Sequence, residues 1–129
     1  MAKISKGLDI PFKGSPAPLT VNKFTQENAI VGLDYKGLKP RLLVKEGEKV
    51  SCGQPIVEDK RVEGTYFCAP ISGTLKLIQR GQKRVLQNVI VEQDGTNEFY
   101  KYKSYKNGDL DSYSSEELVN LLKESGTWS

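Results

Sequence analysis

At 129 residues and 37% hydrophobic content, the chain has room for one modest core and not for a large self-contained enzyme. It holds no histidine and only two cysteines, Cys52 and Cys68. That excludes Ser-His and Cys-His couples, an ordinary structural zinc site and a self-sufficient iron–sulfur cluster. With 19 Lys and Arg against 16 Asp and Glu, the net charge of +3 is too weak for the basic stripe of a nucleic-acid surface.

The opening Met-Ala-Lys-Ile-Ser-Lys lacks the apolar stretch of a signal peptide. The longest run without a charged residue, Gly64–Leu75, has 12 residues with two glycines and a proline. A membrane-spanning helix needs about 20 apolar residues. The expectation is a reduced, cytoplasmic chain with two bystander thiols. Residues 7–22 carry three prolines and two glycines, which predicts an extended, turn-rich lead-in. From Ala29 to about Glu92, short β-branched runs alternate with Gly and Pro. They predict six strands, at Ala29–Leu33, Arg41–Lys45, Pro55–Glu58, Thr65–Ala69, Gly73–Ile78 and Val85–Glu92, and a small sandwich or barrel. Residues 93–113 are polar and hold Tyr100, Tyr102, Tyr105 and Tyr113, with a further strand expected at Glu98–Tyr102. The alternating tyrosines there would pack against a further part of the protein or a partner.

The last element is of another kind. Ser114 and Glu117 have the spacing of a capping box, Leu118, Val119, Leu121 and Leu122 form an apolar stripe, and Gly126 suits the C′ position. These predict a short helix at Ser115–Glu124. Trp128 directly behind it reads as the start of a further segment, so a longer protein is expected. The organisation is then an extended segment over 1–28, a β domain over 29–103, and a loop and helix over 104–129.

An internal repeat underlies the β region. Residues 46–58 (EGEKVSCGQPIVE) align without gaps on 80–92 (RGQKRVLQNVIVE), sharing five of thirteen positions, and Leu43-Val44 falls over Leu77-Ile78 at the same offset of 34. Strand, glycine turn, strand, given twice, predicts a quasi-two-fold sandwich in which each half covers the apolar face of the other.

Val44 through Lys60, followed by Ala69-Pro70-Ile71-Ser72-Gly73-Thr74-Leu75, resembles the lipoyl and biotinyl carrier pattern. The resemblance implies a barrel-sandwich hybrid fold and, as an alternative function, covalent modification of Lys60. In the carriers the modified lysine sits at a hairpin apex. Here two extra residues between Lys60 and Pro70 displace it, and a solvated hairpin lysine is the expectation.

A second resemblance spans nearly the whole chain. Its motifs run in order: Lys6-Gly7-Leu8-Asp9-Ile10-Pro11, Val31 through Pro40, Phe67 through Gly73, Arg80 through Gln87, and Leu121 through Trp128. Together these are similar to the N-terminal part of the family formed by the A subunits of bacterial sodium-translocating NADH:quinone reductases. The resemblance implies a peripheral subunit on the cytoplasmic side of the inner membrane. It implies association with quinone, with ubiquinone as substrate of the whole complex, and no covalently bound cofactor. NADH oxidation and the flavins would belong to partner subunits, so this chain alone would not turn over. It implies too that the chain is a fragment of a longer subunit.

Two surfaces follow as candidates. Leu33, Tyr35, Lys36, Gly37 and Leu38 combine apolar wall and hydrogen-bond donors, as a quinone site requires. Arg80, Lys83 and Arg84 cluster beside Gly81, which suits contact with an acidic partner or lipid headgroups. No nucleotide-binding glycine loop and no catalytic base are identified.

Overall fold

Alternation of apolar and polar residues builds two antiparallel sheets that face each other. The computed structural model describes Gly14, residues 20–21, 23–106 and 110–128. Most of the lead-in over 7–22 and the Lys6–Pro11 motif lie outside the described residues. Among the described residues the strands are β1 (Glu27–Val31), β2 (Pro40–Leu42), β3 (Lys49–Val50), β4 (Pro55–Asp59), β5 (Tyr66–Cys68), β6 (Gly73–Arg80) and β7 (Leu86–Gln93), with one α-helix, α1 (Ser115–Glu124). One sheet has the order β1-β7-β6-β3 and the other β2-β4-β5. In β7, Val89 and Val91 point inward and are fully buried; from the other sheet Ile56 and Val57 meet them, with Leu75 of β6 also enclosed. Burying each such side chain stabilises the fold by about 1.5–3 kcal/mol.

The repeat is present in the pairing itself. Leu43 donates its backbone N–H to the Ile56 carbonyl at 3.0 Å, and Leu77 pairs with Ile90 at the same offset of 34. The first hairpin lies in the three-stranded sheet and the second in the four-stranded one, so each half supplies one wall of the core. The halves differ in their connections. In the first, β3 leaves its hairpin and pairs with β6 across the sandwich (Lys49 with Thr74, Val50 with Gly73). In the second, the connection is a tight turn through Gln82–Arg84.

The mainly β, two-sheet expectation holds, with adjustments at strand ends. The first strand stops at Val31 because Gly32–Asp34 form a 3₁₀ turn, and the second stops at Leu42, where the chain bends away. The expected strand at Glu98–Tyr102 is absent. Only Phe99 bridges, in parallel, to Cys52, because the two residues of β3 end at Val50 and leave no longer partner for it. Tyr100 and Tyr102 meet edge-to-face at 5.5 Å off any strand.

The helix follows its sequence signals. The Ser114 hydroxyl accepts from the Glu117 N–H, and the Glu117 carboxylate accepts from the Ser114 N–H at 2.9 Å, closing the capping box. Gly126 takes the left-handed backbone (φ 71°) that ends the helix, and its bare Cα lies close to the Tyr66 carbonyl and Cys68 Sγ. The Glu124 carboxylate accepts from the N–H groups of Lys103 and Ser104 at 3.1 and 3.0 Å. The residues after β7 are thereby strapped across β5.

Candidate functional site

The 3₁₀ turn after β1 leans on the start of β7. Gly32 is buried there, and a Cβ on it would collide with the Leu86 carbonyl, so only glycine permits the approach. The approach closes a pocket of about 260 Å³ lined by Gly32, Leu33, Tyr35, Lys36, Gly37, Leu38, Val85 and Leu86. All five sequence-predicted quinone-proximal residues, Leu33, Tyr35, Lys36, Gly37 and Leu38, thus share one cavity. The far wall, Val85 and Leu86, was not anticipated; it comes from a distant strand and carries no local signal.

Within the pocket, leucines and Val85 give an apolar wall, and two donors stand against it. The Tyr35 ring rests on Phe67 at 4.3 Å with a 56° tilt, which fixes the direction of the phenol. Its hydroxyl and the Lys36 ammonium have no hydrogen-bond partner among the described residues. Such a lining offers apolar contact beside two hydrogen-bond donors.

The loop that carries these groups is held from the β4–β5 hairpin. Asp59 is only 4% exposed, and its carboxylate accepts from Arg61 Nε and Nη2 (2.6 Å to Nη2), from the Arg61 N–H at 3.0 Å and from the Lys39 N–H at 3.3 Å. Arg61 Nη1 donates onward to the Lys36 carbonyl at 3.4 Å. The Arg61 guanidinium, with the two backbone N–H groups adding to it, overrides burial and holds the Asp59 carboxyl down at about 2. Sequence reasoning missed Asp59 and Arg61; the two-residue spacing alone does not say that the carboxylate is buried. Glu58 beside it is buried too and is paired with Arg41.

Lys60 opens the five-residue turn between Asp59 and Thr65, whose backbones pair at 3.0 Å. It is exposed and its N–H donates to the Lys39 carbonyl at 3.0 Å. The apex of the hairpin is formed by the residues that follow, so Lys60 stands at its shoulder.

Arg80, Lys83 and Arg84 gather at the turn of the β6–β7 hairpin. Arg80 Nη1 donates to the Arg84 carbonyl at 3.3 Å. Lys83 and Arg84 both have positive φ, 53° and 61°, and Val85 N–H closes the turn on the Gln82 carbonyl at 3.2 Å. This is the backbone of a type I′ turn, built from two residues that disfavour it. Since Val85 lines the pocket, the basic turn sits at the pocket's edge and the two predicted surfaces adjoin.

Elsewhere, Tyr100, Lys101, Tyr102, Tyr105, Leu121, Leu122 and Ser125 line a groove of about 860 Å³ against α1. Burial, with Cys52 and Glu124 nearby, pushes the Cys68 thiol up to about 11, which keeps it protonated and unreactive at neutral pH. Among the described residues, no group of acidic or cysteine side chains is placed to hold a metal ion, and no helix is long and apolar enough to cross a membrane.

Comparison with known proteins agrees with the fold. Residues 2–94 match the family described as the NqrA N-terminal barrel-sandwich hybrid domain. The chain is 40% identical to the A subunit of the Na(+)-translocating NADH-quinone reductase of Marinomonas sp. (strain MWYL1), over 99% of this chain and 29% of that protein. It is 43% identical to the same subunit from Actinobacillus pleuropneumoniae serotype 5b (99% and 28%) and 41% identical to that from Haemophilus influenzae strain PittEE (99% and 29%). The chain therefore spans less than a third of the length of these curated relatives. With the match covering both sheets from β1 to β7, the chain belongs to the NqrA N-terminal barrel-sandwich hybrid domain family.

Proposed function

We propose that this chain is the N-terminal part of the quinone-associated subunit of a sodium-pumping NADH:quinone oxidoreductase. It sits peripherally on the cytoplasmic side of the bacterial inner membrane, with the other subunits of the complex as partners. The whole complex passes electrons from NADH to ubiquinone and exports sodium; this part binds and positions and does not turn over alone. The observation that carries the reading is similarity over 99% of the chain to proteins named as that subunit.

The share of the work given to this part is a hold on the quinone ring. A pocket of about 260 Å³ is below the range of about 300–1,000 Å³ usual for drug-sized ligands, so it takes a ring and excludes a long tail. Leu33, Leu38 and Val85 cover the ring faces, and Tyr35 and Lys36 donate to its carbonyl oxygens. Asp59 and Arg61 are positioning residues that set where those donors stand.

Titration of a short-chain benzoquinone, followed by amide chemical shifts, tests this. Shifts should concentrate in residues 32–38 and 85–86, and Tyr35→Phe should weaken binding by about fivefold, the worth of one hydrogen bond near 1 kcal/mol. No shifts there, or shifts centred elsewhere, reject the pocket. Intact mass separates the alternative: a lipoyl or biotinyl increment that vanishes in Lys60→Ala replaces this reading with a carrier domain.

A further inference from the structure

We infer that the end of the four-stranded sheet formed by the β6–β7 turn and the loop after β1 is a docking surface for an anionic phospholipid bilayer. The inference rests on the peripheral placement proposed above and gives it a face and a chemistry.

Three large apolar side chains converge on this end while staying out in solvent. Leu33 is 67% exposed, Val85 51% and Tyr35 43%, and all three line the mouth of one pocket. Single exposed leucines are ordinary, but a cluster ringed by polar groups marks a surface that meets something. Here the ring is cationic. Lys36 flanks the pocket on one side; Lys83 and Arg84 precede Val85 on the other, and Arg80 is tied to Arg84. Asp34 is the one carboxylate among residues 32–38 and 80–86. Within these two segments four cations stand against one anion, in a chain whose total is only +3.

The turn adds an independent sign. Both Lys83 and Arg84 are held in left-handed backbone. An Asn-Gly pair makes the same turn without that strain, which Lys83 and Arg84 must both carry. The tip thus holds two cations where the backbone would be better served without them.

The chemistry favours an anionic bilayer: a membrane interface needs a few inserted apolar groups, plus about 1 kcal/mol, or fivefold in partitioning, for each Lys or Arg brought near an anionic surface. The same orientation would face the pocket mouth to the acyl phase, where the tail of a quinone too large for the pocket already lies.

Co-sedimentation of the 129-residue chain with vesicles tests the inference. Phosphatidylethanolamine vesicles containing phosphatidylglycerol are compared with pure phosphatidylcholine vesicles. The chain should bind the anionic vesicles selectively and lose binding with rising salt. The double variant Lys83→Asn/Arg84→Gly removes two cations and relieves the turn, so it should melt higher and partition about 30-fold more weakly. Leu33→Ser should weaken partitioning with the charges intact. Absence of binding to the anionic vesicles, equal binding to phosphatidylcholine, or an unchanged double variant would overturn the inference. So would capture of poly-glutamate through the same residues without vesicle binding, since the surface would then serve an acidic polypeptide. The benzoquinone titration keeps the two readings apart. Vesicle binding without a quinone response rejects the pocket alone, and a quinone response without vesicle binding rejects the docking surface alone.

Discussion

The carboxylate of Asp59 accepts a hydrogen bond from the backbone N–H of Lys39 at 3.3 Å, tying the hairpin after β4 to the loop that lines the pocket. Through Arg61 the same carboxylate reaches the Lys36 carbonyl, next to Tyr35. The hairpin that carries Lys60 at its shoulder thus also holds the loop of the pocket.

Replacing Asp59 by Asn should therefore cost about 1.5–3 kcal/mol, the range for hydrogen bonds to a charged group. The pH dependence follows from the same contacts. Arg61 lowers the Asp59 carboxyl from 3.8 to about 2 on folding, so the folded state binds the proton less readily than the unfolded chain. The stabilisation is complete above about pH 4 and is lost as the pH falls towards 2. Chemical denaturation across that window should show the wild-type chain losing its advantage over Asp59→Asn; parallel curves at every pH would rule the clamp out.

Gly32→Ala places a methyl group against the Leu86 carbonyl and must push the 3₁₀ turn away from β7. Overpacking of this kind costs about 1–3 kcal/mol. Because the displaced turn is one wall of the pocket, the amide shifts of Val85 and Leu86 should move as the melting temperature falls. A variant with unaltered stability would mean that the turn and the strand are less closely packed than described.

Ser114→Ala opens the capping box and should destabilise α1 by about 1 kcal/mol. The loss should travel: Glu124 at the far end of the helix holds the Lys103 and Ser104 N–H groups, so their hydrogen exchange should accelerate with that of the helix. Acceleration confined to the first helical turn would show that the strap is held by other contacts.

These cases also show what could be read from the sequence. The β-branched runs between Gly and Pro gave most strands because each lies between strong turn signals. The helix was legible to the residue because a capping box and a C′ glycine are local chemistry. β3 was not, since Lys49 and Val50 are a strand only through their pairing with Thr74 and Gly73. The tyrosine alternation at Glu98–Tyr102 pointed to a strand that has no neighbour beyond Cys52. Half of the pocket was visible as one short motif, Leu33 to Leu38. Its other half, Val85 and Leu86, and its clamp, Asp59 and Arg61, depend on which strand faces that motif, and that is decided by the tertiary fold.

The seating of Gly126 against Tyr66 and Cys68 bears on where the protein can be cut. β5 is the outermost strand of its sheet, and beyond residue 94, where the family match ends, the chain returns to lay the tail of α1 alongside it. A piece trimmed to the family boundary would lose that cover and bare a row of backbone groups ready to pair with another molecule. Size-exclusion chromatography of such a piece should show more self-association than the whole chain does, so the cost of that cut would be read in its state of assembly.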